Sequence, residues 1–171
     1  MRFLLVLLLA LPAFFAGAAD PTPAETVKKL AAQMLKATLD ENYAVIIDLT
    51  YPKVVTELGG RDKAIEASYA MMRVIKDAKF VITELKTGEP GPVHRHGTNQ
   101  FIVVPTLTVI KAPDKVLRID SYLLGISGDD GKTWKFVDGA GMKSAEFRQR
   151  MLPELPPGLV LPEMTTRVTE K

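Results

Sequence analysis

Apolar residues recur every three or four positions up to about residue 78 and every second position after it, so the chain changes periodicity once. In the first part Val27, Leu30, Ala31, Met34, Leu35 and Leu39 share one face of an amphipathic helix that begins at Ala24. Asp40 is placed to cap a second, shorter helix carrying Tyr43, Val45, Ile46, Ile47 and Leu49. Tyr51-Pro52 forces an extended step, because the residue before proline avoids helical geometry. Residues 53–58 add a helical turn or two, ended by Gly59-Gly60. Residues 62–77 form the longest later helix, with Ile65, Tyr69, Met72, Val74 and Ile75 as its apolar positions.

From residue 80 the pattern is that of strands. Residues 80–85 alternate, and Gly88-Glu89-Pro90-Gly91-Pro92 makes a turn. Residues 101–110 place Phe101, Val103, Leu107 and Val109 on one face, with Pro105 marking a bulge or an edge. Residues 116–127 and 133–138 follow after short turns, which makes an antiparallel meander. Residues 144–151 read as a last short helix, and the proline-rich stretch from Leu152 onward runs extended over the surface or along an edge. The expectation is an α+β domain over residues 20–152, with N-terminal helices on one face of a curved four-stranded antiparallel sheet, then a tail over 153–171.

The first nineteen residues stand apart from this pattern. Arg2 gives a charged start, residues 3–11 are continuously apolar, Pro12 breaks the run, and Ala16-Gly17-Ala18 supplies the small residues of a cleavage site at Ala18 or Ala19. The apolar stretch of residues 3–16 is shorter than the ~20 residues that span a bilayer core. The reading is a cleaved signal peptide and a secreted or periplasmic protein with no membrane segment after cleavage. The chain has no cysteine, which excludes a disulfide framework and a lipid-modified cysteine after the leader. Removing the leader leaves 22 − 1 = 21 basic residues against 20 acidic ones, and no basic run long enough for a nucleic-acid partner.

The order of elements, together with a short helix ending in Leu49-Thr50-Tyr51-Pro52 before a segment closed by Gly59-Gly60, resembles the NTF2-like superfamily. That superfamily of cone-shaped α+β barrels includes the SnoaL-like and ketosteroid-isomerase-like proteins. The resemblance covers roughly residues 22–141 and lies in the order of elements rather than in a catalytic motif. The small early hairpin that many relatives insert between helices is not visible. The resemblance implies a pocket between the helices and the concave sheet face, and homodimers built on sheet faces.

Candidate chemistry follows from that pocket. Tyr43, Asp48 and Tyr51 on the helical side, and Asp120, Tyr122 and Trp134 on the strand side, are the polar and aromatic residues that can line it. A carboxylate in an apolar pocket has its pKa raised and serves as general base or neutral donor, and a buried tyrosine supports an oxyanion. Against this, Arg118, Asp120 and Tyr122 alternate on one face that equally suits a cross-strand ion pair. Ser127-Gly128-Asp129-Asp130-Gly131-Lys132-Thr133-Trp134 resembles the Asp-box of sialidase-like propellers. A single copy reads as a hairpin staple. His94 and His96, two apart on a strand, are a weak metal candidate that needs further ligands, and the plainer reading is a solvated hairpin end.

There is no phosphate loop, nucleophile elbow or cysteine nucleophile, and no cofactor is implied. The expectation is a non-catalytic module that binds a small hydrophobic ligand or a protein partner. The alternative is a small-molecule isomerase, dehydratase or hydrolase using a Tyr/Asp pocket.

Overall fold

The two periodicities separate in space as they do along the chain. The computed structural model describes residues 20–152 and 154–170. Four helices come first: α1 (Pro23–Leu39), α2 (Tyr43–Leu49), α3 (Pro52–Glu57) and α4 (Arg61–Asp77). Strands β1 (Val81–Thr87), β2 (His94–His96), β3 (Asn99–Lys111), β4 (Lys115–Ser127) and β5 (Lys135–Asp138) follow. A 3-10 turn at Gly141–Lys143, α5 (Ala145–Met151) and β6 (Thr165–Glu170) complete the chain. The leader, with its cleavage site at Ala18 and Ala19, lies outside the described residues.

Local chemistry sets the helix ends. The Thr22 side chain accepts from the Glu25 N–H while the Glu25 carboxylate accepts from the Thr22 N–H, and Pro23 opens the first turn of α1. Asn42, not Asp40, caps α2, its side chain accepting from the Val45 N–H at 3.4 Å. Asp40 instead closes α1, because Glu41 takes a left-handed φ of 55° and turns the chain between them. Gly59 and Gly60 at φ 88° and 98° reverse the chain into α4, where a side chain is strained.

The expected strands β1, β3, β4 and β5 lie side by side in that order, antiparallel and curled into a half-barrel. Two further strands join them. β2 pairs with the start of β3, and β6 pairs with the start of β4. β3 runs through Pro105 without a break, with Tyr122 opposite. The Pro105 carbonyl accepts from the Gly88 N–H at 2.7 Å, so its nitrogen also faces the 88–93 loop. It sits where the edge passes from β2 to β1, and no ladder hydrogen bond is lost.

Both faces of the β3–β4 pair are buried at one end. On one face Ile102, Val104, Leu123 and Phe136 pack under Val27, Ala31 and Met34 of α1. Gly125 makes this close approach possible: a Cβ there would meet Val27 Cγ1 at 3.3 Å and the Phe136 ring at 3.4 Å. On the other face Phe101, Tyr122, Leu124, Ile126 and Val137 pack under Met142, Met151 and Leu152, with Leu155, Leu159 and Leu161 against them. The C-terminal stretch thus covers the face that Phe101 and Val103 present, and its next residues add β6 to the sheet edge.

Two helix faces depart from expectation. Leu39 is half exposed at the end of α1, and α4 buries Ala64 alone, leaving Tyr69 53% and Val74 69% exposed. Met72 and Ile75 face open space rather than core, while Val74 lies on the opposite side of the helix from Ile65 and Met72.

The Ser127–Trp134 segment is a self-contained staple between β4 and β5. Asp129 accepts from the Thr133 hydroxyl at 2.6 Å, the Thr133 N–H at 2.8 Å and the Ser127 hydroxyl at 2.7 Å. Those bonds hold its carboxyl down at about 2. Gly131 takes a φ of 88°, and Trp134, 2% exposed, donates its indole N–H to the Gly131 carbonyl. Trp134→Ala is expected to lower unfolding free energy by about 3–5 kcal/mol in denaturant titration. A stability equal to wild type would refute the staple. Asp129 contributes stability above its ordinary value of 3.8 that disappears as pH falls toward 2, so Asp129→Asn should flatten the acid limb of the melting-temperature profile.

Candidate functional site

The open space under α4 is a cavity of about 460 Å³ between the helices and the curled sheet. Leu123 and Phe136 form its floor, Met34 and Ile46 its walls, and Met72 and Ile75 of α4 its roof. A volume in the range of ~300–1,000 Å³ suits a small organic molecule. The helix above it is held at its ends and middle rather than by a packed face. Arg61 makes a bidentate pair with Asp48 at 2.7 and 3.0 Å, Lys76 pairs with Glu41, and Tyr69 meets Tyr43 edge-on at 4.4 Å.

Of the six sequence candidates, Tyr43 alone lines this cavity. Its ring is 3% exposed, and its hydroxyl is buried without a hydrogen bond to any described residue. Burial pushes that hydroxyl above its ordinary pKa, with the Glu41 charge adding and Lys76 opposing. Asp48 lies on the outer side of α2, and its hydrogen bonds from Arg61 hold its carboxyl below the ordinary range. Asp120 pairs with Arg167 of β6 on the opposite face of the sheet. Tyr122 is buried on that opposite face and borders a second, more polar groove with Lys143 and Arg148. Tyr51 is the cap residue of α3 and packs with that second cluster. Trp134 belongs to the hairpin staple. The six residues therefore occupy several separate places.

His94 and His96 sit on β2, where the His96 Nδ1 lies 2.9 Å from the Glu154 carbonyl. Asn99 donates to the Glu154 carboxylate, so the two contacts fasten the C-terminal stretch to the β2–β3 turn. Among the described residues no three histidines, cysteines or acids come together to hold a metal ion.

The residue that sequence reasoning passed over is Asp138. It ends β5 and is followed by Gly139-Ala140-Gly141, which reads as a turn and nothing more. Its Oδ1 does accept from the Ala140 N–H at 2.7 Å, as in an Asx turn. The same carboxyl lines the cavity beside Phe136 and Phe147. Asp138 itself is solvent-exposed, at the mouth of the cavity rather than in its interior. Desolvation pushes its pKa up, and the Ala140 N–H offsets part of that. The one legible signal was an acid at the end of an apolar strand.

No protein-family model, curated protein or solved structure matches the chain.

The raised carboxyl has a consequence for stability. Its folded pKa lies above the ordinary 3.8, so the folded state binds the proton more tightly, and ionising Asp138 disfavours the fold. The cost is absent below 3.8, grows as pH rises to the folded value, and is complete above it. Asp138→Asn keeps an acceptor for Ala140 and removes the charge. It should melt at or above the wild-type temperature at neutral pH, with the gap closing below 3.8. A variant destabilised equally at every pH would show that the carboxylate is structural.

Proposed function

We propose that this protein is an exported, non-catalytic module that holds a small hydrophobic molecule in the cavity between α4 and the sheet. The observation that carries this reading is the cavity itself: about 460 Å³ with its walls mostly methionine, isoleucine, leucine and phenylalanine. The space opens to solvent beside Met71, which is 69% exposed, so a small molecule can enter and gain by removing apolar surface from water. Its position between helices and a concave antiparallel sheet is compatible with the NTF2-like cone, in which we place the fold. The leader of residues 1–19 supports secretion or delivery to the periplasm, and no helix among the described residues is long and apolar enough to cross a membrane.

The enzyme alternative asks for acid and base groups in the pocket. Asp48 and Asp120, the carboxylates that sequence offered for it, are each neutralised by an arginine outside the cavity. Asp138 is the one carboxylate in the cavity lining, and no histidine or second acid stands beside it to complete an acid–base pair, which weighs toward binding without catalysis.

Nile red, a neutral dye that brightens in apolar surroundings, tests the cavity directly. The purified protein should bind it in a saturable way. Ser68 lines the roof, and Ser68→Phe would fill the space with no change in charge. Removing room for two methylene groups or more should weaken dye binding roughly tenfold or beyond. Its melting temperature should stay at or above wild type. Dye binding undiminished in a folded Ser68→Phe, or absent from the wild type, would overturn the proposal.

A further inference from the structure

The polar atoms that reach the cavity are nearly all acceptors. Thr38, Thr50 and Ser68 line it, and each donates its hydroxyl proton to a carbonyl of its own helix: Thr38 to Met34 at 3.1 Å, Thr50 to Ile46 at 2.8 Å, Ser68 to Ala64 at 2.8 Å. What each has left to offer is an oxygen lone pair. Asp138 adds a carboxyl that uses Oδ1 toward Ala140 and has further lone pairs free. The Tyr43 hydroxyl is buried near Glu41, Lys76 and Tyr69 and makes no hydrogen bond to a described residue.

The charge is equally one-sided. No lysine, arginine or histidine lines the cavity, and Asp138 is its one ionisable acid. The nearby Arg148 of α5 turns away, donating to the Met142 and Lys143 carbonyls. Of the aromatic residues in the lining, Phe147 is half-buried and can present its ring, whereas Tyr43 and Phe136 are buried, and an aromatic face attracts cations. A carboxylic acid ligand would find a like charge and no cation among the lining residues. A cation with an apolar body meets a carboxylate, the Phe147 ring and an apolar lining.

We propose that the ligand is a hydrophobic amine, bound as its ammonium with the charge at Asp138 and the carbon skeleton against Met72, Ile75 and Phe147. This rests on the reading of the cavity as a ligand site. The carboxyl's elevated proton affinity fits it, because an arriving ammonium supplies the counter-charge that the apolar surroundings withhold.

Three probes of one shape test the proposal by calorimetry: 1-naphthylmethylamine, 1-naphthylmethanol and 1-naphthoic acid, at a pH where the amine is charged and the acid ionised. In the wild type the amine should bind roughly tenfold tighter than the alcohol or better, with the acid weakest. In Asp138→Asn the amine-to-alcohol ratio should fall to about one or below, as expected when the charge-assisted contact is lost. An alcohol or acid that binds as tightly as the amine overturns the ammonium assignment while leaving the cavity a ligand site. So does an amine preference that survives Asp138→Asn in a folded variant. If none of the three binds and none displaces Nile red, the cavity reading falls, and this inference falls with it.

Discussion

The pairing of β3 with β4 is the constraint on which the rest of the molecule depends. It runs in register from Gln100 opposite Ser127 to Lys111 opposite Val116. Each outer edge is then completed by two strands in succession, β2 and β1 on one side, β5 and β6 on the other. At the Phe101–Val104 end both faces are apolar, so hydrophobic patterning alone gives weak protection against a one-residue slip. Two residues supply the missing specificity. Gly125 must lie beneath Val27, because Leu124 or Ile126 in its place would hold α1 off the sheet. Pro105 must turn its nitrogen away from β4, since facing it would leave a β4 carbonyl without a partner.

With α1 on one face and the C-terminal stretch on the other, stability is concentrated around β3, β4 and β5. That leaves α4 a small share of the packing. Its ties are the buried Ala64, surface ion pairs worth about 0–1 kcal/mol each, and one edge-on aromatic contact. A helix that must fill a core cannot also roof an empty space. Here the core is closed without α4, so Met72 and Ile75 can face a cavity while the fold stays intact.

Periodicity made the element types and most of their order legible, because one apolar face is all that a helix or strand needs to announce itself. It did not make burial legible. Tyr69 shares a helix face with Ile65 and Met72, yet spacing says which way a residue points and not what lies opposite. β6 was illegible for another reason: Thr165-Thr166-Arg167-Val168-Thr169-Glu170 is exposed at every position and is ordered by backbone pairing to β4 and by Arg167 reaching Asp120. The Asp-box hairpin was the most legible feature, because the bonds of Ser127, Asp129, Gly131, Thr133 and the Trp134 indole are local, and only Asp130 reaches out to Arg95 and Gln100. The site was the least. Asp48 and Asp120 looked available for chemistry, and each meets an arginine distant in sequence that no local pattern connects to it.

Asp138 separates structural need from chemical use. The turn after β5 requires an acceptor for the Ala140 N–H, and an asparagine side chain provides one with equal geometry. An asparagine would also avoid the desolvation that raises the aspartate's pKa. The ionisable group therefore adds a cost that the turn does not explain. The lining around it holds no lysine, arginine or histidine to offset that cost, only apolar side chains, the Phe147 ring and hydroxyl lone pairs. A negative charge kept at an apolar opening without a protein partner is complementary to a positive charge that comes from outside.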